Sequence, residues 1–465
     1  MSKNFFWGAS TAANQVEGSY NIDGKLPSVM DYLYTGEKRR EFSAEISDEL
    51  YYSSHNAVKH YDYMEKDIKM MAEMGINSYR MSIAWTRIYP TGFEETPNQK
   101  GLDFYRRFFE NLKKYDIEPI VTLSHYEMPG ELSKFGGWSK KETIDLFVKY
   151  AKTVITEYKD YVKYWLSFNE INCALVPFGI LTACGSFMDF NDPRNTAQLR
   201  FESVHNQFVA SAKTTVLMRE IDCEMQMGCM IASMLNYPLT SAPADNLLIL
   251  QDEQINNYLC SDVMINGKYP YYAKKYLEDN NIKLNISNDE FEVLKQGTVD
   301  FYSCSYYMSN CKTKQKEVEQ TGANLGSGGK NPYLEASEWG WQIDSIGLRI
   351  FLNKVYDRYN LPIMIVENGL GTSDEVINGQ IDDQYRIDYL EQHVNAMHEA
   401  MADGVDVIGY LPWSAIDLVA LSTGSIEKRY GFIHVNIDNN GKGDYSRTPK
   451  KSYYWYKELI DENCE

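Results

Sequence analysis

The chain has 465 residues, 44% of them hydrophobic, which is ample for a large core, and its 30 Gly and 14 Pro show no bias toward a disordered or fibrous class. Length alone suggests two or three domains, although α/β barrels often reach this size as one. A net charge of −19 disfavours a nucleic-acid or anionic-membrane partner, because no broad basic surface is available; a small anionic substrate needs only a few local cations and stays open.

Residues 1–8 carry no cationic segment followed by an apolar core, so no signal peptide is expected. No run of about 18 apolar residues reads as a membrane span. Along the chain, eight short apolar runs read as strands: 5–12, 77–84, 118–123, 162–168, 225–231, 299–306, 362–366 and 405–411. Between them lie helix-like stretches at 55–75, 101–114, 140–157, 203–218, 343–359 and 381–402. Strand–helix alternation repeated eight times is the pattern of a (β/α)8 barrel; an open doubly wound sheet gives similar alternation, and the pattern favours the barrel. Polar inserts at 21–54, 320–337 and 369–380 follow strands, where βα loops would shape a cleft or simply be tolerated at the surface. Cys173, Cys184, Cys223, Cys229, Cys260, Cys304, Cys311 and Cys464 include no Cys-x-x-Cys pair, and without an export signal they read as reduced core or strand thiols in the cytosol. Neither they nor the seven His show metal-ligand spacing, so no metal is expected.

Two of the apolar runs end in glutamate, Phe168-Asn169-Glu170 and Val366-Glu367-Asn368-Gly369. A carboxylate at the end of a buried strand is costly unless it has a partner or a task. Two of them, far apart in sequence, suggest a pair meeting across a barrel mouth, and paired carboxylates are what glycosidic bond cleavage needs. Taken singly, each reads first as a solvated or salt-bridged strand end.

Five segments in order decide between these readings: Phe6-Trp-Gly-Ala-Ser-Thr-Ala-Ala-Asn-Gln15-Val-Glu-Gly18, Gly75-Ile-Asn-Ser-Tyr-Arg80-Met-Ser-Ile-Ala-Trp85-Thr-Arg-Ile-Tyr-Pro90, Leu123-Ser-His125-Tyr126-Glu-Met-Pro129, Ser167-Phe-Asn169-Glu170 and Ile365-Val-Glu367-Asn-Gly369. Together they resemble glycoside hydrolase family 1, the retaining β-glycosidases, nearly end to end. The resemblance implies a single-domain TIM barrel over residues 1–465 with elaborated βα loops. It implies Glu170 as acid/base and Glu367 as nucleophile, with carboxyl oxygens roughly 5 Å apart as in other retaining enzymes. Arg80, at the end of the second strand, would hold Glu367 ionised by lowering its pKa, and Tyr307 would donate to it. Glu170 would need a raised pKa from burial and from the charge on Glu367. Gln15, His125, Asn169 and Trp413 match glycone-binding positions, with Trp413 as the flat floor under the sugar. Trp341 matches an aglycone-side tryptophan, and Tyr126 stands where members acting on unphosphorylated sugars usually carry Trp.

The segment Asp417-Leu-Val-Ala420-Leu421-Ser422-Thr-Gly-Ser-Ile-Glu-Lys428-Arg429-Tyr430 narrows the resemblance. Ordinary β-glucosidases of the family carry Asn-Phe-Glu-Trp at residues 418–421, and that Glu grips the sugar's 4- and 6-hydroxyls. Ala420 replaces it here, and a missing carboxylate suits a 6-phosphate. The pattern Ser422-x5-Lys428-x-Tyr430 is similar to the phosphate grip of 6-phospho-β-glycosidases. The alternative for Lys428-Arg429 is a solvated cationic pair in a loop. Two departures matter: phospho-glucosidases often have Ser at Ala420, and Leu421 is bulkier than their usual choice. Leu421 stands where 6-phospho-β-galactosidases typically place Trp, so it favours the gluco configuration, and Ser305 agrees with the phospho-glucosidases. The expectation is thus a cytosolic 6-phospho-β-glucosidase without metal or organic cofactor, acting on cellobiose 6-phosphate or an aryl 6-phospho-β-glucoside, with no nucleic-acid or membrane partner. Rivals are a 6-phospho-β-galactosidase, an ordinary β-glucosidase and a catalytically dead sugar-binding protein. Many relatives self-associate, which leaves a homo-oligomer open.

Overall fold

The computed structural model describes residues 5–36, 45–315, 318–323 and 326–464. Residues 1–4, 37–44 and 324–325, parts of the N-terminal segment and of two polar inserts, lie outside the described residues. Each of the eight apolar runs forms a strand: β1 (Phe6–Ser10), β2 (Ser78–Ser82), β3 (Glu118–Ser124), β4 (Tyr164–Phe168), β5 (Gln226–Ala232), β6 (Phe301–Tyr306), β7 (Ile363–Asn368) and β8 (Val407–Tyr410). All pair in parallel with their sequence neighbours, and β1 pairs with both β2 and β8, so the sheet closes. Closure rules out the open doubly wound sheet.

Alternation along the strands makes two cores, because successive side chains leave opposite faces. Ile120, Leu166, Met230, Phe301, Met364, Val366 and Leu411 fill the barrel. The larger core lies between the strands and the surrounding helices. A Cβ on Gly228 would lie 2.4 Å from the Phe301 ring, so this β5 position must be glycine for that ring to fill the barrel.

Helices Gln99–Lys114, Glu142–Tyr158, Ala197–Ile221 and Ser345–Tyr359 lie where periodicity places them. The helix expected over 55–75 is two, Ser53–Asn56 and His60–Glu73, separated by left-handed Ala57 (φ 42°) and Lys59 (φ 55°). Between them the Val58 N–H donates to the Val16 carbonyl at 3.3 Å, and its carbonyl accepts from Arg447 at 2.8 Å. These distant partners replace helical ones. The helix expected from 381 starts at Gln384, because Ile381 pairs with Val376 in a two-stranded ribbon. Part of the insert expected at 320–337 belongs to a four-stranded sheet of Asn236–Pro238, Asn310–Lys312, Gln320–Ala323 and Gly326–Gly329.

All eight cysteines are free thiols; six are buried, but Cys223 and Cys464 are exposed rather than core or strand residues. No helix among the described residues is long and apolar enough to cross a membrane.

The segment after β8 is anchored by one buried carboxylate. Asp417 accepts from Lys450 (2.7 Å), Arg429 (2.8 Å) and the Gly431 N–H (3.1 Å). Against the desolvation of its burial, Lys450 and Arg429 hold this carboxyl well below the usual range. Asp417→Ala leaves buried cations short of a counter-charge, and breaking such a pair costs about 3–5 kcal/mol. Calorimetry should show a clearly lower melting temperature than for the exposed control Asp279→Ala; equal midpoints would contradict this account of the anchor.

Candidate active site

Glu367 reaches the barrel mouth through an irregularity. The β7–β6 ladder pairs Ile365 with Cys304 and then Glu367 with Ser305, so Val366 is the extra residue of a bulge. Bulges re-aim the side chain that follows. Arg80 lies in the middle of β2 rather than at its end, and is wholly buried. Its guanidinium donates to Glu367 Oε1 (2.5 Å), Asn169 Oδ1 (2.6 Å) and Thr122 Oγ1 (3.0 Å). Three acceptors fix its plane, and one of them sits beside Glu170. Tyr307 donates to Glu367 Oε2 at 2.8 Å.

Burial nevertheless outweighs these donors. Desolvation and the nearby Glu170 charge push the Glu367 carboxyl up to about 7, opposed by Arg80 and Tyr307. This corrects the expectation that Arg80 sets a depressed value: the arginine limits a rise it does not reverse.

Glu170 follows β4 in a left-handed conformation (φ 39°, ψ 53°) and is half-buried. Its Oε2 accepts from the Tyr126 hydroxyl (2.7 Å) and its Oε1 from Ser305 (2.6 Å). Cys173, one 3-10 turn on, places its thiol 3.7 Å from Oε2. Tyr126 is itself left-handed (φ 69°), an uncommon state for a bulky residue. The resemblance counts it among the substrate-binding residues; it does line the cavity, but its hydroxyl is committed to Glu170. Ser305 and Cys173 were not among the expected site residues. The one sequence signal for Cys173 was its spacing of three from Glu170.

Both glutamates line a cavity of about 270 Å³, together with Gln15, His125, Asn169 and Trp413. Gln15 donates to the Val419 carbonyl at 2.7 Å, and the Val419 N–H returns a bond to the Gln15 carbonyl, tying the β8 loop to the β1 loop. His125 stacks on Trp413 with ring centroids 5.6 Å apart. Burial, reinforced by the Arg80 charge, pushes its pKa well down, so the ring is neutral, and its Nδ1 has no protein partner. A neutral imidazole both donates and accepts, as sugar hydroxyls require.

Ala420, Leu421, Ser422, Tyr430 and Trp341 line the same cavity. Lys428 lies behind them, buried, with its ammonium 4.1 Å from the Trp341 ring centroid, 5.0 Å from Trp339 and 5.8 Å from Tyr430. Among the described residues it pairs with no carboxylate, and desolvation lowers its pKa to about 8. Its neighbour Arg429 turns away to Asp417. The two are therefore not a solvated pair: one is structural and the other is a buried cation beside the cavity. Trp339, two residues before Trp341, is a participant the sequence reading passed over.

Two carboxylates, one on a strand of a closed barrel and one just past the end of another, at one cavity walled by hydroxyl-binding side chains and a tryptophan, are the equipment of a glycosidase. The whole chain, residues 1–465, matches the family model described as Glycosyl hydrolase family 1, and the chain belongs to that family. It is 46% identical over 467 residues to the aryl-phospho-beta-D-glucosidase BglH of Bacillus subtilis (strain 168), covering 100% of this chain and 98% of that one. It is 44% identical over 469 residues to a 6-phospho-beta-glucosidase of Clostridium longisporum, covering 99% and 97%. Among solved structures, the family 1 b-glucosidase from Thermotoga maritima superposes with a TM-score of 0.85 at 28% identity, covering 100% of this chain and 98% of that one.

The Tyr307 hydroxyl lowers the Glu367 pKa, so Tyr307→Phe should raise the titration midpoint of this carboxyl above about 7. Infrared difference titration, with Glu367→Gln to assign the band, checks this. A midpoint that stayed or fell would contradict the assigned balance.

Proposed function

We propose that the protein is a 6-phospho-β-glucosidase that cleaves with retention of configuration, releasing glucose 6-phosphate and an alcohol or sugar. The observation that carries the phosphate reading is the charge pattern at residues 420–430. Ala420 removes the carboxylate that would repel a phosphate, and Lys428 stands beside the cavity with no carboxylate partner among the described residues. Ser422 and Tyr430 line the cavity wall, and their hydroxyls would complete the grip. The substrate class named for the Bacillus and Clostridium relatives supports the same reading.

In this mechanism the ionised Glu367 attacks the anomeric carbon while Glu170 gives its proton to the departing oxygen. One C–O bond breaks, one glycosyl-ester bond forms, and the Glu367 charge disappears. Glu170, now ionised, takes a proton from water, which attacks the same carbon and releases Glu367. Tyr126 and Ser305 serve both states, because hydroxyls donate to a carboxylate and accept from a carboxylic acid. Gln15, His125, Asn169 and Trp413 hold the glucosyl unit. Leu421 supports gluco over galacto selectivity.

On the leaving-group side the cavity is walled by Val176, Phe178, Met234, Met308 and Trp341. Of the polar side chains there, Asn236, Asn256 and Lys312 are engaged by Asp252, while the buried Ser233 hydroxyl has no protein partner. A mainly apolar slot of this kind fits an aryl aglycone. The proposed setting is the cytosol, where sugars phosphorylated during uptake are found, with residues 1–465 acting as one catalytic domain.

Hydrolysis of a nitrophenyl β-glucoside with and without a 6-phosphate tests the proposal. Turnover should strongly favour the phosphorylated form, with only slow hydrolysis of the plain glucoside. Lys428→Ala should raise its KM by roughly 10- to 100-fold, the equivalent of one charge-assisted bond, and leave the plain glucoside unchanged. Comparable turnover of both substrates would overturn the phosphate reading. Glu367→Ala should abolish hydrolysis, and azide should restore an inverted product; without such rescue the nucleophile assignment fails.

A further inference from the structure

The buried lysines and arginines outside the 420–430 segment all have oxygen partners among the described residues. Lys25, Arg80, Arg87, Arg386, Arg447 and Lys450 pair with carboxylates, and Arg200 donates to carbonyls. Within the segment Arg429 has Asp417. Lys428 has rings instead, with Trp341, Trp339 and Tyr430 on its ammonium. An aromatic face attracts a cation through its quadrupole, and does so more strongly where water is excluded. Rings stabilise the ammonium without cancelling its charge, as a carboxylate would.

Trp341 and Tyr430 line the cavity, whereas Trp339 does not; it is 38% exposed and covers Lys428 from outside. Its orientation is fixed through three loops. The indole N–H donates to Glu338 Oε1 at 3.1 Å. The same oxygen accepts from the Thr372 hydroxyl and, at 3.0 Å, from the Ser373 N–H. Thr372 in turn exchanges two backbone hydrogen bonds with Arg429, at 3.1 and 2.9 Å. The loops after β6, β7 and β8 are thus joined at the residue next to Lys428.

We infer that Trp339 is a positioning residue for phosphate recognition: it closes an aromatic box that holds Lys428 charged, dry and without a counter-anion until the substrate's phosphate supplies one. This rests on the phosphate reading and deepens it with a residue outside the cavity wall. Without the Trp339 ring the ammonium is open to water and its four-carbon stem is free to move. The phosphate then has to displace water and order the side chain before the pair can form.

The test measures kcat and KM of Trp339→Ala and Trp339→Phe on nitrophenyl 6-phospho-β-glucoside and on the plain glucoside, with Lys428→Ala in parallel. Trp339→Ala should raise KM for the phosphorylated substrate about tenfold, the equivalent of one desolvated cation–π contact, with kcat unchanged. The plain glucoside should be unaffected, and Trp339→Phe should recover most of the loss. An equal loss on both substrates, or none, would overturn the box. If Lys428→Ala abolishes discrimination while Trp339→Ala preserves it, the box alone is wrong. If Lys428→Ala preserves discrimination, the phosphate reading beneath it has failed.

Discussion

A carboxylate sealed inside a barrel needs a permanent cation, and the bond from Arg80 to Glu367 meets that need. The rest of the site is arranged around this pair. The β7 bulge delivers Glu367 to the arginine, Thr122 and Asn169 hold the guanidinium flat, and Tyr307 takes the remaining oxygen. Removing water raises the carboxyl's pKa, and the donors oppose the rise. The donors keep the carboxyl from rising further and so favour the ionised form that attacks.

The two ends of the β8 segment show opposite treatments of buried charge. At Asp417 every charge is matched: Lys450 and Arg429 converge on it, and Lys450 reaches Asp374 as well. Asp374, Asp417 and His434 lie close enough together to hold an ion, but Lys450 already supplies the cation there. This end is scaffold. At Lys428 the charge is left unmatched beside the cavity and stabilised by rings. A saturated network gives rigidity, whereas an unsaturated one gives affinity for whatever completes it. The first holds the loop on which the second is presented.

The eight strands were legible because each is a run of buried apolar residues, and the glutamates because each ends such a run. The paired roles of Arg80, Glu170 and Glu367 were legible only through family resemblance, since no spacing in the sequence reveals that residues 80 and 367 touch. What stayed hidden depends on distant partners. The break near Val58 is caused by Arg447, almost 400 positions away. Tyr126 read as a sugar contact because its bond to Glu170 exists only after β3 and β4 pair. In Glu338-Trp339-Gly340-Trp341 one tryptophan was read and the other overlooked, because only the fold shows that both face the same lysine. The height of the Glu367 pKa was misjudged for a similar reason: the neighbouring arginine could be inferred, but the depth of burial could not.

The most direct test of the account is trapping with a 2-deoxy-2-fluoro β-glucoside 6-phosphate bearing a good leaving group, followed by mass spectrometry of the digested protein. The account predicts one glycosyl 6-phosphate adduct, on Glu367, formed much faster than with the unphosphorylated reagent. An adduct on another residue, or equal labelling by both reagents, would contradict it.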